Sequence, residues 1–128
     1  MSYLLDTHTF LWFLEDDVSL SDTAKTMIEA PDNDIYLSIA SVWEIAIKVS
    51  LNKLQFPSPF KETIDRSLFD NQITLLNITT THTDKLITLP FHHRDPFDRL
   101  IIVQSQIEAL PVIGKDTIFD KYDIERYW

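Results

Sequence analysis

Short apolar runs of the buried-strand type alternate with longer helical patterns along this chain, and this alternation constrains the fold most strongly. The runs cover residues 3–5, 35–37, 73–78 and 110–113. Helical patterns cover residues 10–14, 22–30, 38–51, 60–68, 79–89 and 96–110, and a last helix holds Ile118, Phe119 and Tyr122. Because parallel strands need long crossover connections, this order predicts an α/β sandwich around a mostly parallel sheet, with right-handed connections.

The composition is typical of one globular domain. The chain has 128 residues, 45% of them hydrophobic, with one glycine and no cysteine, and we expect one domain over residues 1–128. A single glycine excludes a glycine-rich phosphate loop, and the lack of cysteine excludes disulfides, thiolate zinc sites and cysteine nucleophiles. No apolar run approaches the roughly 20 residues that a membrane span needs. We therefore expect a soluble, cytoplasmic protein with no membrane contact.

Four acidic residues stand at positions that could converge. Asp6 follows the first strand and Asp116 the fourth, while Asp98 lies in the first turn of the apolar helix that begins after Asp95. Glu44 falls on an otherwise apolar stripe of the helix predicted over residues 38–51. In parallel sheets, ligands bind at the carboxyl ends of the strands, so this edge is where the acids are expected to meet.

Each acid also has a simpler structural explanation. Asp6 could cap the helix that follows it, and Asp95 with Asp98 could form a capping box. Glu44 could pair with Lys48 four residues later in a solvated ion pair. The histidines, His92 and His93 among them, are interpreted as packing or hydrogen-bonding residues, because no second pair stands at metal-ligand spacing.

If the four acids converge, their chemistry indicates a metal site. Crowded carboxylates raise one another's pKa unless a cation neutralises them, and a set of oxygen ligands suits Mg²⁺ or Mn²⁺. Such a site can lower the pKa of a water, direct it at phosphorus and stabilise the departing oxygen. The predicted reaction is phosphodiester hydrolysis.

Four ordered motifs resemble the PIN domain, and in particular the VapC-type toxin ribonucleases of prokaryotic toxin–antitoxin pairs. The motifs are Leu5-Asp6-Thr7-His8, Ser41-Val42-Trp43-Glu44-Ile45-Ala46-Ile47-Lys48, Leu89-Pro90 to Asp95-Pro96-Phe97-Asp98-Arg99, and Lys115-Asp116 with Phe119 and Tyr122. The resemblance covers essentially the whole chain. It implies a PIN-like α/β/α sandwich with about five parallel strands and a Mg²⁺- or Mn²⁺-dependent endoribonuclease. It also implies a homodimer that a small antitoxin inhibits by obstructing the acidic site. Asp6, Glu44, Asp98 and Asp116 match the family's acidic quartet.

Two features depart from what the resemblance implies. Gly114 stands where many relatives carry Thr or Ser two residues before the last acid, so a hydroxyl is missing there. The formal net charge of −9 opposes RNA binding, so phosphate contacts must be local. Lys48, Arg99 and Lys115 are the predicted contacts, with Lys53, Arg94 and Lys121 as further candidates. Two alternatives stay open: a PIN-like module that binds RNA or protein without catalysis, and, more distantly, a phosphatase or phosphoacceptor domain built on Asp6.

Overall fold

The computed structural model describes residues 1–128 and contains a five-stranded, entirely parallel sheet. The strands are β1 (Ser2–Leu5), β2 (Asp34–Ser38), β3 (Ile73–Leu76), β4 (Val112–Ile113) and β5 (Arg126–Tyr127), in the spatial order β3-β2-β1-β4-β5. β1 lies at the centre, with Leu4 opposite Tyr36 of β2 and opposite Val112 of β4. β2 and β3 lie on one side of β1, whereas β4 and β5 lie on its other side. This change of side creates a crevice at the carboxyl end of β1.

Helices cover both faces of the sheet. They are α1 (Thr7–Glu15), α2 (Asp22–Glu29), α3 (Ile39–Ser50), α4 (Phe60–Asp70), α5 (Thr80–Leu86) and α6 (Pro96–Glu108), and a 3₁₀ helix spans Thr117–Lys121. None of them is long and apolar enough to cross a bilayer. Successive strand residues point to opposite faces. Tyr3 and Leu5 therefore join a core with α1, α2 and α4, whereas Leu4 joins a second core with α6. The predicted α/β architecture is confirmed.

The helix that carries Asp98 is both well capped and deeply buried. The Asp95 carboxylate accepts hydrogen bonds from the backbone N–H groups of Phe97 and Asp98, at 2.8 and 3.2 Å, and Pro96 occupies the first helical position, where its missing N–H is not needed. Every residue from Leu100 to Ser105 is buried. A helix surrounded by protein in this way holds its N-terminal acid at a fixed place.

Several predicted boundaries are wrong. β3 ends at Leu76 rather than at residue 78, α5 ends at Leu86 rather than at residue 89, and the last helix is a short 3₁₀ turn. β4 has only two residues, because the Leu110 N–H bonds back to Ser105 of α6 and Pro111 has no N–H to donate. β5 was not predicted from the apolar pattern; it pairs with β4 through residues that alternate too briefly to give a signal.

Candidate metal centre

All four predicted acids line one cavity at the carboxyl end of β1. The cavity has a volume of about 170 Å³ and is lined by Asp6, Thr7, His8, Glu44, Lys48, Asp95, Asp98 and Asp116. Asp6 follows β1, Asp116 follows β4, Asp98 comes from the first turn of α6 and Glu44 from the middle of α3. The sheet order brings these four segments together, although up to 110 residues separate them in the sequence.

Asp6 is both a helix cap and a member of the cavity wall. Its Oδ1 accepts a hydrogen bond of 2.8 Å from the Thr7 N–H at the start of α1, as the capping alternative predicts. The side chain is nevertheless buried, and burial is the main reason why its pKa rises to about 6, with smaller contributions from the charges of Glu44 and Asp116. The two explanations of Asp6 are therefore compatible.

Glu44 forms the predicted pair with Lys48, but the pair is not a solvated one. Lys48 Nζ lies 2.8 Å from Glu44 Oε2, and the Glu44 side chain is only 9% exposed. The other carboxylate oxygen, Oε1, is buried and has no hydrogen-bond partner. Because an unpartnered buried carboxylate oxygen is costly, this atom indicates that the cavity wall is built to contact something further.

Asp98 is the acid of the cavity whose pKa is raised most. Burial, followed by the charges of Asp6, Asp95, Glu44 and Asp116, raises its pKa to about 8. Asp95 alone caps α6: the Asp98 carboxylate makes no return bond to the Asp95 N–H, so the capping box is only half formed. Capping therefore does not explain the Asp98 side chain, which faces its acidic neighbours.

Asp116 is held differently from the other three acids, by a histidine. His93 Nε2 lies 2.9 Å from Asp116 Oδ2, and because an ionised carboxylate only accepts, the imidazole N–H donates. Partial burial alone would raise the pKa of Asp116. The hydrogen bonds from His93 and from the Ile118 N–H, and then the charges of His93 and Arg126, lower it below its ordinary value. Asp116 is therefore the acid best kept ionised.

His93 is the residue at this site that the sequence reasoning missed. The sequence predicts only a packing or hydrogen-bonding role for His93, and the structure shows both: its ring stacks on Tyr122, with centroids 5.6 Å apart. The Tyr122 hydroxyl accepts hydrogen bonds from the backbone N–H groups of His92 and His93, at 3.0 and 2.8 Å. This fixes the imidazole beside Asp116. No signal in the sequence connects His93 with Tyr122, which lies 29 residues later.

The donor set fits a divalent cation. One imidazole nitrogen of His93 and one carboxylate oxygen each of Asp98 and Asp116 lie within 4.8 Å of one another. Because the His93 N–H donates to Asp116, the imidazole orients that carboxylate, and the carboxylate oxygens are the atoms available to an ion. The unpartnered Glu44 oxygen and the raised pKa values of Asp6 and Asp98 are relieved by positive charge between the carboxylates. Hard oxygen donors dominate this wall, which matches ions of the Mg²⁺ and Mn²⁺ type.

The three predicted cationic contacts have different outcomes. Lys48 lines the cavity, and Lys115 is exposed beside it. Arg99 instead points away: its guanidinium donates to the backbone carbonyls of Leu86, Leu89 and Pro90 and lies 3.8 Å from the Phe91 ring centroid. Arg99 is 7% exposed and its donors are engaged by backbone carbonyls, so, contrary to the prediction, it is not available to contact substrate phosphates. It does not pair with Asp98 either.

Gly114 has a steric reason in this structure. A Cβ atom at this position would lie 3.1 Å from the Cβ of Asp6 and 3.6 Å from its Oδ2. Such a contact is tighter than normal packing, so the Asp6 side chain would have to shift by a few tenths of an ångström to admit a side chain here. Glycine at position 114, and with it the lack of a hydroxyl, therefore accompanies the close approach of the Asp6 side chain.

Comparisons with known proteins identify a family and several structures with a similar fold. A family model described as PIN domain matches residues 3–125, and no curated protein sequence matches the chain. The fold is similar to VapBC2 from Rickettsia felis bound to a DNA fragment from the promoter, with a TM-score of 0.73, 16% identity, and 99% of this chain and 98% of that chain covered. A toxin–antitoxin complex from Klebsiella pneumoniae gives a TM-score of 0.65, 16% identity, and coverage of 98% and 96%. FitAcB from Neisseria gonorrhoeae gives 0.59, 17% identity, and coverage of 100% and 97%. At these identities the structural likeness concerns the fold.

Proposed function

Because this chain belongs to the PIN domain family, we propose that it is a metal-dependent endoribonuclease that hydrolyses phosphodiester bonds of RNA. The observation that carries the proposal is the convergence of Asp6, Glu44, Asp98 and Asp116 on one cavity, where an unpartnered Glu44 oxygen and the raised pKa values call for a cation. Residues 1–128 act in this proposal as one domain.

The four acids hold Mg²⁺ or Mn²⁺ in this proposal. When bound, such an ion would supply Lewis acidity and a water molecule of lowered pKa. Asp6, Glu44 and Asp98 provide anionic oxygens from three separate segments, and Asp116 is kept ionised and oriented by the N–H of His93. Lys48 and Lys115 attract and position the substrate phosphates next to the acids, where the net charge of the chain would otherwise repel them.

The proteins that share the fold support a proposal for the partner and the cellular role. Two of the similar solved structures are described as toxin–antitoxin complexes or VapBC assemblies, which supports a toxin with a cognate antitoxin protein. We propose that the chain forms a homodimer, that the antitoxin obstructs the acidic cavity, and that the enzyme acts on RNA in the cytoplasm. The experiment for this part is purification of the chain with the product of a neighbouring short reading frame.

Cleavage of a mixed cellular RNA pool tests the catalytic proposal. The purified protein is incubated with Mg²⁺, with Mn²⁺ and with a chelator, and the variants Asp6→Asn and Asp98→Asn serve as matched controls for contaminating ribonucleases. We expect discrete fragments that need metal and that vanish in both variants. Fragments that persist in both folded variants would refute the assignment of the acidic cavity.

The second candidate function is a module that binds RNA or a protein partner without catalysis. The net charge of −9 and Gly114 in place of a hydroxyl residue favour it. Metal binding without any cleavage of the pool, in a chain that still forms its complex with RNA or antitoxin, would support this second function over the first.

A further inference from the structure

The segment that carries Asp116 is held at its start by the last strand of the sheet. Gly114 follows β4 directly and stands two residues before Asp116. Both of its backbone polar groups are bonded to β5: the Gly114 N–H donates to the Tyr127 carbonyl at 3.1 Å, and the Gly114 carbonyl accepts a hydrogen bond of 2.9 Å from Arg126 Nη1. β5 therefore fixes the direction in which the chain leaves β4.

The Arg126 side chain also reaches the other end of this segment. Its Nε and Nη2 donate to Oδ1 and Oδ2 of Asp120, at 2.9 and 3.0 Å, and Asp120 lies in the 3₁₀ helix that follows Asp116. Isolated ion pairs at the surface are weak, but this pair is bidentate, and the planar guanidinium fixes the angles between its donors. We call the three hydrogen bonds of Arg126 to Gly114 and Asp120 the Arg126 clamp. It ties the two ends of the segment together, with Asp116 between them.

Asp116 depends on such anchors because packing does not enclose its side chain, which is 37% exposed. Its Oδ1 accepts a hydrogen bond of 2.9 Å from the Ile118 N–H of the same 3₁₀ helix, and its Oδ2 accepts from His93 Nε2. A shift of the 3₁₀ helix moves the Ile118 donor and turns the carboxylate away from His93. The orientation of Asp116 is therefore only as precise as the position of the segment that carries it.

β5 has other attachments besides the Arg126 clamp. Its backbone pairs with β4, and the Tyr127 ring packs edge-on against Tyr3, with centroids 5.7 Å apart. The hydrogen bonds of the Arg126 side chain, in contrast, are all directed to Gly114 and Asp120. The clamp therefore serves the segment around Asp116 more than it serves the strand from which it comes.

We propose that Arg126 is a positioning residue of the candidate metal centre, which holds the Asp116 carboxylate in place by tying together the two ends of its segment. Arg126 does not line the acidic cavity, so it acts through the backbone and the 3₁₀ helix. Partners of this kind, which orient a metal ligand without touching the metal, change metal affinity by about 10- to 100-fold. The consequence for metal binding rests on the proposed function, whereas the dependence of Asp116 on Arg126 is measurable in the metal-free chain.

Nuclear magnetic resonance of the full chain in a chelator tests the positioning directly. The Nε2–H of the buried His93 ring donates to Asp116, so its proton signal lies downfield and exchanges slowly with water; His93→Phe, which lacks this proton, assigns the signal. We expect Arg126→Lys and Asp120→Ala each to move the signal upfield or to broaden it by faster exchange. Asp120 is exposed, so its variant opens the clamp without a change in the core.

Two control variants separate the clamp from general effects on the fold. Tyr127→Ala removes the contact with Tyr3 and loosens β5 while Arg126 stays in place. Arg66→Lys makes the same chemical change as Arg126→Lys at an exposed position of α4. We expect the His93 signal to be unchanged in both.

The sign of the change in metal affinity distinguishes positioning from charge. By charge alone, Arg126→Gln removes a cation near the acids and strengthens Mn²⁺ binding. Positioning predicts the opposite: Arg126→Gln and Asp120→Ala each weaken Mn²⁺ binding about tenfold in calorimetric titration. The double variant loses no more than either single variant, because both changes open the same clamp.

Each outcome distinguishes the positioning role from the catalytic proposal. An unchanged His93 signal in the clamp variants, or tighter Mn²⁺ binding by Arg126→Gln, overturns the inference. An equal change of the signal in Tyr127→Ala also overturns it, because β5 as a whole would then be responsible. A His93 signal that depends on Arg126, in a chain that cleaves no RNA, supports the positioning role and refutes the nuclease. Metal-dependent cleavage with a His93 signal that ignores Arg126 leaves the nuclease standing and refutes the positioning role.

Discussion

Asp98→Asn is expected to stabilise the metal-free protein while it removes activity. The pKa of Asp98 is raised from 3.8 to about 8, mainly by burial and then by four neighbouring acids. Ionisation of Asp98 favours the unfolded chain by about 1.4 kcal/mol for each pH unit above 3.8. At pH 7 this lowers the free energy of unfolding by at most about 4 kcal/mol. The carboxylate is partly exposed and solvent screens it. We therefore expect Asp98→Asn to raise the free energy of unfolding by about 1–2 kcal/mol.

The pH dependence follows from the direction of the shift. Below pH 4 the carboxyl group is protonated in both states and Asn gains nothing. Between pH 4 and 8 the unfolded state loses the proton first, so the wild-type chain becomes less stable relative to the variant as the pH rises. Above pH 8 the difference is constant. The gain at pH 5 is expected to be about a third of the gain at pH 8.

Thermal unfolding in a chelator at pH 5, 6, 7 and 8 measures this effect. For 128 residues, 1–2 kcal/mol corresponds to a rise of about 4–7 °C in Tm at pH 7. Asp84→Asn, a change at an exposed acid of α5, is the matched control and leaves Tm unchanged. Saturating Mg²⁺ raises the Tm of the wild-type chain and not that of Asp98→Asn. A variant that melts lower than wild type, or whose difference from wild type ignores pH, would contradict the reasoning.

Three further predictions follow from the same contacts. His93→Phe lowers the affinity for Mn²⁺ about 10- to 100-fold in calorimetric titration, and His93→Gln, which keeps a donor for Asp116, loses less; equal losses would contradict the orienting role. Metal affinity rises between pH 6 and 8, by up to about tenfold per pH unit. The reason is that Asp98 (pKa about 8) and Asp6 (pKa about 6) must release protons when metal binds. Calorimetric titrations in buffers of different ionisation enthalpy measure the number of protons released. Arg99→Lys lowers the free energy of unfolding in urea by about 2–3 kcal/mol, since the compact ammonium cannot reproduce the planar spread of donors that reaches all three carbonyls, and an unchanged midpoint would show that these bonds are dispensable.

The acidic quartet could be predicted because strand order determines it. A parallel sheet puts Asp6 and Asp116 at the same edge, and the pairing of β1 with β4 in the structure makes them neighbours there. The prediction for Glu44 and Asp98 requires the additional inference that acids from four separate segments belong to one site. The capping of Asp6 and the pairing of Glu44 with Lys48 do not exclude a further contact, because a capping or paired carboxylate keeps a second oxygen.

Arg99, His93 and β5 could not be predicted for different physical reasons. α6 is buried on all sides, so the apolar pattern does not reveal that Arg99 faces away from Asp98, one residue earlier. The contact of His93 depends on Tyr122, from a distant part of the chain. β5 is recognised by its backbone hydrogen bonds to β4, as in the Gly114 N–H bond to the Tyr127 carbonyl, and a strand of two residues has no periodicity to detect.

The central place of β1 also affects when the acidic cavity can form during folding. β1 pairs with β2 across a separation of 32 residues, from Ser2 to Asp34, but with β4 across 108, from Leu4 to Val112. Closing the longer loop costs more chain entropy, and such distant contacts form late and slowly. Asp116 follows β4, so it reaches Asp6 only after this closure. We therefore expect that a nascent or partly refolded chain lacks the complete acidic cavity, and that the cavity forms late in folding.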